Sequence, residues 1–217
     1  MAMKLYKSDF SPAARAVMMA CEIVGVHVEM VDVSLWTGEH LTPEFLQKTP
    51  LHSVPVLEDG DLTIIDSHAI LMYLVDAYGV NDSIYPKDIK QRALVNQLLF
   101  FNTAILYSRL RNITIPAFRD GQRNLAVNKL KDVEEAYGFV EEFLSRNKFI
   151  ATDQLTIADL AVSACVSSLG LVLPLDANKY PKTQAWLKGM QTENFYGKYN
   201  EPGLKQLDAI YILMKKE

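Results

Sequence analysis

The stretch "YKSDFSPAARAVMMACEIVG", residues 6–25, sets one hydroxyl, Ser11, directly before a proline and a run of helically spaced apolar residues. Pro12 presets the backbone of a first helical turn and lacks a donor that a helix start would leave orphaned. A serine in that place caps the helix by accepting from a backbone N–H. A hydroxyl at the positive end of a helix can also donate to an anion, so catalysis stays open beside the cap. Ser8 and Asp9 precede the turn and are weaker candidates. A second polar group, "IDSHAI", puts Asp66 and Ser67 where another helix begins, and either can cap it. His40, His52 and His68 are three of four histidines. No helix brings two of them onto one face, so no metal site is expected. Arg111 stands in an apolar helical stretch, where a guanidinium calls for an anion, a ligand's or an internal aspartate's.

Composition narrows what these residues can serve. The chain has 217 residues, 49% hydrophobic and 22% charged, with a formal net charge of -4. That is the balance of an ordinary globular protein of one large or two small domains. No basic tract with interleaved aromatics is present, which argues against nucleic acid. No apolar run approaches the ~18 residues that a membrane helix needs. The opening "MAMKLYKSDF" carries no long apolar stretch before a cleavage site, so no secretion signal is expected. Cys21 and Cys165 lie in apolar, helix-like surroundings outside any C-x-x-C pair. Two buried free thiols, and hence a reducing cytoplasmic setting, are the reading.

Two grammars follow one another along the chain. "KLYK" reads as a strand and "PAARAVMMACEIV" as a helix stopped by Gly25. "VHVEMVDV" reads as a second strand, and "LTPEFLQK" as a short helix capped by Thr42. "VPVLEDGDLTII" is a hairpin turning at Asp59-Gly60, and "DSHAILMYLVDAY" is a helix. The order β-α-β-α-β-β-α, residues 1–79, resembles a thioredoxin-like layer, an α/β sheet with helices packed on it. Residues 80–88 are polar and turn-rich, a linker. Residues 89–217 read as an all-α domain: "IKQRALVNQLLFFNTAILYSRLRN" as one long run, then "NLAVNKLKDVEEAYGFVEEFLSRN", with "KTQAWLKGMQ" and "LKQLDAIYILMKK" completing it after "TIADLAVSACVSSLGLVL". That last stretch is nearly all apolar and should be central. Thr156 and Asp159 form a capping box at its start, a folding feature rather than chemistry.

"DFSPAARAV", "GEHLTPEFLQKTPLHSVPVLEDGDLTIIDSHAI", "LYSRLRNITIPAF" and "LTIADLAVSA" together resemble the cytosolic glutathione S-transferases. The likeness is strongest to the insect delta and epsilon classes, with "DSHAI" and the paired histidines favouring epsilon. It covers nearly the whole chain. It implies a glutathione transferase fold, a thioredoxin-like domain binding glutathione and a helical domain completing a hydrophobic co-substrate site. It also implies a homodimer that conjugates glutathione to hydrophobic electrophiles in detoxification, with glutathione as co-substrate and no metal.

By this resemblance Ser11 is the catalytic residue. A thiol of pKa about 8.5 is only a few per cent thiolate at pH 7. Lowering that pKa by two units takes about 2.7 kcal/mol. One hydrogen bond to a charged group contributes roughly 1.5–3 kcal/mol, and a helix N-terminus about 0.3–1 kcal/mol. The junction holds no cysteine, which argues against dithiol exchange and for a bound external thiol. His40, His52, Ser53, Val54, Pro55, Asp66, Ser67 and His68 fall on the glutathione subsite. Val54 would pair its backbone with the tripeptide, before a cis Pro55. Backbone N–H groups and the Ser67 hydroxyl would hold the γ-glutamyl carboxylate, Asp66 the ammonium group, and His40 and His52 the glycyl end. His68 is divided between ligand or dimer contact and a structural role. The hydrophobic site would take Phe10, Leu35, Tyr107, Leu110, Arg111, Ile115, Phe118, Leu207 and Tyr211, although aromatics at helical spacing also serve cores. Asn112 and Thr114 stand where bulkier apolar residues are expected, which leaves pocket shape open. A carrier of apolar ligands, or a glutathione-dependent isomerase or peroxidase, would use the same residues.

Overall fold

The computed structural model describes residues 2–122 and 126–216, with side chains as far as Ala209. The first part is a four-stranded sheet of order β2-β1-β3-β4, built from β1 (Lys4–Lys7), β2 (Glu29–Asp32), β3 (Val56–Asp59) and β4 (Leu62–Ile64). β1 runs parallel to β2, pairing Leu5 with Met30, and antiparallel to β3, pairing Leu5 with Leu57. The Asp59-Gly60 turn joins β3 to β4 antiparallel, and Gly60 takes φ 63 there.

Helix α1 (Pro12–Val24) connects the two parallel strands. Ser11 Oγ accepts from the N–H of Ala14 at 3.3 Å, and Gly25, at φ 74, closes the other end. The helix is buried on nearly every side from Pro12 to Cys21, more than its spacing alone predicts. The reason lies outside it: α1 packs against α3 (Ser67–Tyr78) on one side and against α7 (Ile157–Gly170) on the other. After β2 the chain forms a 3-10 turn (Glu39–Leu41) and α2 (Pro43–Leu46), whose cap Thr42 accepts from Phe45 N–H.

The rest is helical: α4 (Ile89–Phe101), α5 (Ser108–Asp120), α6 (Val127–Arg146), α7, α8 (Pro181–Gln191), α9 (Asn194–Tyr199) and α10 (Glu201–Lys216). Helix α7 is buried from Ile157 to Leu169 and anchors the main core. Its capping box is present. Asp159 accepts at one oxygen from the N–H and hydroxyl of Thr156, and at the other from Ile150 N–H and Trp186 Nε1. One difference from the sequence reading concerns the long run after residue 89. It is continuous, but a π-turn at Asn102–Tyr107 separates α4 from α5. Pro116 then sits inside α5, where it removes the N–H that would reach the carbonyl of Asn112. Lys129 of α6 supplies the missing donor, its Nζ lying 2.7 Å from that oxygen.

Candidate active site

A cavity of about 400 Å³ opens between the sheet layer and the helices. Ser53, Val54 and Pro55 form one wall and Asp66, Ser67 and His68 a second. Tyr107 and Arg111 close the far side. The first wall is the segment entering β3, and the Val54–Pro55 peptide is cis. The second is the start of α3. Asp66 is the cap: its Oδ1 accepts from the N–H groups of His68 and Ala69 at 2.9 and 3.0 Å. Ser67, in the first turn, is half-buried and lines the cavity.

His68 is buried. Its two ring nitrogens lie 3.1 Å from Asn102 Nδ2 and 2.9 Å from Thr103 Oγ1, both on the π-turn. Burial pushes its pKa below the ordinary value, against the pull of Asp66. The ring is thus a neutral tie between the start of α3 and the helical layer, as well as part of the cavity wall. The π-turn turns Asn102, Thr103 and Tyr107 toward the cavity within one stretch, and such turns recur at functional sites.

Ser11 lies outside the cavity wall, although Ala13 and Ala16 of the same helix belong to it. Its oxygen is committed as a cap, and its hydroxyl hydrogen remains available to donate. The corner before it is polar and tied down. Ser11 N–H donates to Ser8 O at 3.0 Å, and Lys7 bridges Asp9 and Asp32 at 2.7 and 2.6 Å. His40 and His52 are also off the wall. Their ring centroids are 6.5 Å apart, and His40 Nδ1 is buried without a protein partner. Burial first, and then its histidine neighbour, lower the pKa of His40.

The candidates for the apolar site are spread over several faces. Tyr107 and Arg111 are brought together, with the guanidinium 6.0 Å from the ring centroid. Among the described residues no carboxylate pairs with Arg111. Leu110 does not join them. It is 2% exposed and belongs to the core, because one residue of helix turns it about 100° away from Arg111. Leu207 is likewise buried at 3% and is not part of the wall. Phe10 and Ile115 are half-buried, and Leu35 packs on the small cluster of Val33, Phe45, Val54 and Val56. Phe118 meets Trp36 of the β2–α2 loop edge-on, with centroids 6.2 Å apart. Tyr211 lies outside the residues whose side chains are described. Sequence reasoning missed Asn102, Thr103 and Cys165 in the wall. A signal existed for the first two, a polar pair interrupting the apolar run "LLFFNTAILY".

Comparison with known proteins matches both parts of the chain. The model described as "Glutathione S-transferase, N-terminal domain" matches residues 1–76, and that of the C-terminal domain matches residues 97–194. The chain belongs to the glutathione S-transferase family. It is 42% identical over 205 residues to glutathione S-transferase 1 of Manduca sexta, covering 94% of each chain. Among solved structures, an epsilon-class glutathione S-transferase of the housefly, Musca domestica, superposes with a TM-score of 0.96. That protein is 42% identical, with 98% of both chains covered. A glutathione transferase homolog of Drosophila mojavensis, solved with bound glutathione, gives a TM-score of 0.95 at 37% identity, with 98% of this chain and 97% of that one covered. These relatives place the chain with the insect delta and epsilon classes of the family. Among the described residues, no three His, Cys, Asp or Glu side chains converge so as to hold a metal ion. None of the described helices is long and apolar enough to cross a membrane.

Proposed function

We propose that this chain conjugates glutathione to hydrophobic electrophiles, with the thiolate stabilised at the Ser11 corner. The observation that carries the reading is the pairing, across one cavity, of Val54–Pro55 with the α3 start at Asp66 and Ser67. An extended tripeptide needs a backbone edge for its middle residue. It also needs helix-start N–H groups for its γ-glutamyl carboxylate and an acceptor for its ammonium group. Asp66 Oδ2 makes no hydrogen bond among the described residues, so it can accept from the ammonium group while Oδ1 caps the helix. His40 and His52 extend toward the glycyl end as donors, beside Ser53. The sulfur then lies toward Ser11. The thiol proton leaves to solvent, the hydroxyl donates to the sulfur anion, and the sulfur attacks the electrophilic carbon while the leaving group departs with its electron pair. Tyr107 and Arg111 form the helical wall that the co-substrate meets.

The division of labour between residues 1–79 and 89–217, joined by 80–88, is part of this reading. So is a homodimer: exposed Leu62, Tyr78, Leu94 and Phe100 offer apolar area to a second copy. The free, buried Cys21 and Cys165 fit a reducing, cytoplasmic setting. The test is a structure soaked with glutathione, together with turnover of 1-chloro-2,4-dinitrobenzene. The expected result is the tripeptide along Val54 with its sulfur at Ser11. Glutathione that fails to bind, or a sulfur remote from this corner, would overturn the reading.

A further inference from the structure

Arg15, one turn along α1 from Ser11, is completely buried. No carboxylate pairs with it among the described residues. Its guanidinium donates to the carbonyl oxygens of Asn200 and Ala164, each at 3.4 Å, and to Ser168 Oγ, while its Nε has no partner. Asn200 caps the C-terminal end of α9 and Ser168 lies in the last turn of α7. The charge is therefore solvated by two backbone carbonyls and a serine hydroxyl rather than by a counter-ion. A buried cation held this way is costly, and an apolar side chain of similar size often serves stability as well or better.

The stem runs back under the catalytic corner, as side chains on a helix lean toward its N-terminus. Gly203 of α10 marks the spot, since a Cβ there would lie 2.0 Å from Asp9 O and 3.0 Å from Arg15 Cδ. The titratable groups facing Arg15 are Asp9 from the corner, Cys165 from α7 and Tyr196 from α9. Helix α10 approaches through Gly203, which carries no titratable group. Burial pushes the Cys165 thiol up to about 12 and raises the Tyr196 phenol, so neither is an anion near neutral pH. Asp9 is already held by Lys7.

We propose that Arg15 is a positioning residue of this site, whose buried charge acts as the fixed countercharge of the glutathione thiolate formed at the Ser11 corner. The inference rests on the glutathione reading above. At an effective permittivity of about 20, a unit charge about 10 Å from a thiol moves its pKa by about one unit.

The test titrates the ultraviolet absorbance of the thiolate of bound glutathione in the wild type, Arg15→Met, Arg15→Lys, Ser168→Asp, Ser168→Asn and Ser11→Ala. Arg15→Met should raise the thiol pKa by about one unit, with the loss of turnover greatest at low pH and recovered at high pH. Arg15→Lys, which keeps the charge, should stay near the wild type. Ser168→Asp and Ser168→Asn share a shape, but only the aspartate neutralises Arg15, so only it should raise the pKa. This pair decides the matter if Arg15→Met does not fold. Equal thiol pKa values across the Ser168 pair, or in folded Arg15→Met and the wild type, would overturn the proposal even if turnover fell. A rise in Ser11→Ala alone would leave the glutathione reading standing without Arg15. No low-pKa thiolate in the wild type would refute both.

Discussion

Replacing Ser11 by alanine removes two different things, and the structure separates them. The first is the cap: Ser11 Oγ accepts from Ala14 N–H at 3.3 Å, and losing it costs about 1 kcal/mol of stability. The second is the donor hydrogen, which the proposed mechanism points at the sulfur. A hydrogen bond to a charged group contributes roughly 1.5–3 kcal/mol, so the bound thiol pKa should rise by about one to two units. At a pH below both values the thiolate, and with it turnover, should fall about 10- to 100-fold. Glutathione affinity, which the proposed mechanism assigns to Val54, Asp66 and Ser67, should change little. Ser11→Asp gives the contrast, because aspartate caps as well as serine but offers a carboxylate where a donor is needed. Its melting temperature should stay near the wild type while its turnover falls below that of Ser11→Ala. The assays are initial rates with 1-chloro-2,4-dinitrobenzene across pH, thiolate absorbance, and thermal unfolding of each variant. Ser11→Ala turnover within twofold of the wild type, with an unshifted thiol, would reduce Ser11 to a cap.

The remaining predictions concern the frame around that corner. His68 is held neutral by burial, so below its ordinary pKa of 6.5 the unfolded chain binds a proton that the folded chain does not. Stability should therefore be intact above pH 6.5 and fall on acidification by up to ~1.4 kcal/mol per pH unit, and His68→Gln should flatten that slope in denaturant titrations. Asp159→Asn puts an amide among donors from Thr156, Ile150 and Trp186. It should cost about 3 kcal/mol, seen as a melting point lower by ~6–12 °C, and an unchanged melting point would remove Asp159 from the frame. Gly203→Ala drives a methyl against Asp9 O and should cost about 3 kcal/mol in urea titrations, with turnover lowered as α10 is pushed off the corner.

The sheet layer was readable because its signals are local. Ser11-Pro12 and Gly25 bracket α1, Asp59-Gly60 fixes the hairpin, and Asp66 starts α3, each by chemistry acting over a few residues. The capping box at Thr156 and Asp159 is local too, yet half of its meaning is not. Trp186, 27 residues on, supplies the donor that turns a cap into a core hydrogen-bond centre. The helical wall of the site was less legible for the same reason. The run from Ile89 to Asp120 has the period of a plain helix, and family resemblance alone places Leu110 beside Tyr107 and Arg111. Leu110 goes instead to the core, while polar Asn102 and Thr103 reach the wall through the π-turn by meeting His68, 34 and 35 residues before them. Arg15 carries this furthest. In sequence it is a charged residue among apolar neighbours, with nothing local to say what it meets. Its partners come from α7 and the end of α9, some 150 and 185 positions away. What the sequence disclosed was therefore the part of the site that one element makes by itself. What it withheld was how groups such as Arg15, Asn102 and Thr103 are placed by neighbours that arrive from the other layer, and the surroundings of Arg15 beneath the Ser11 corner are set by those neighbours.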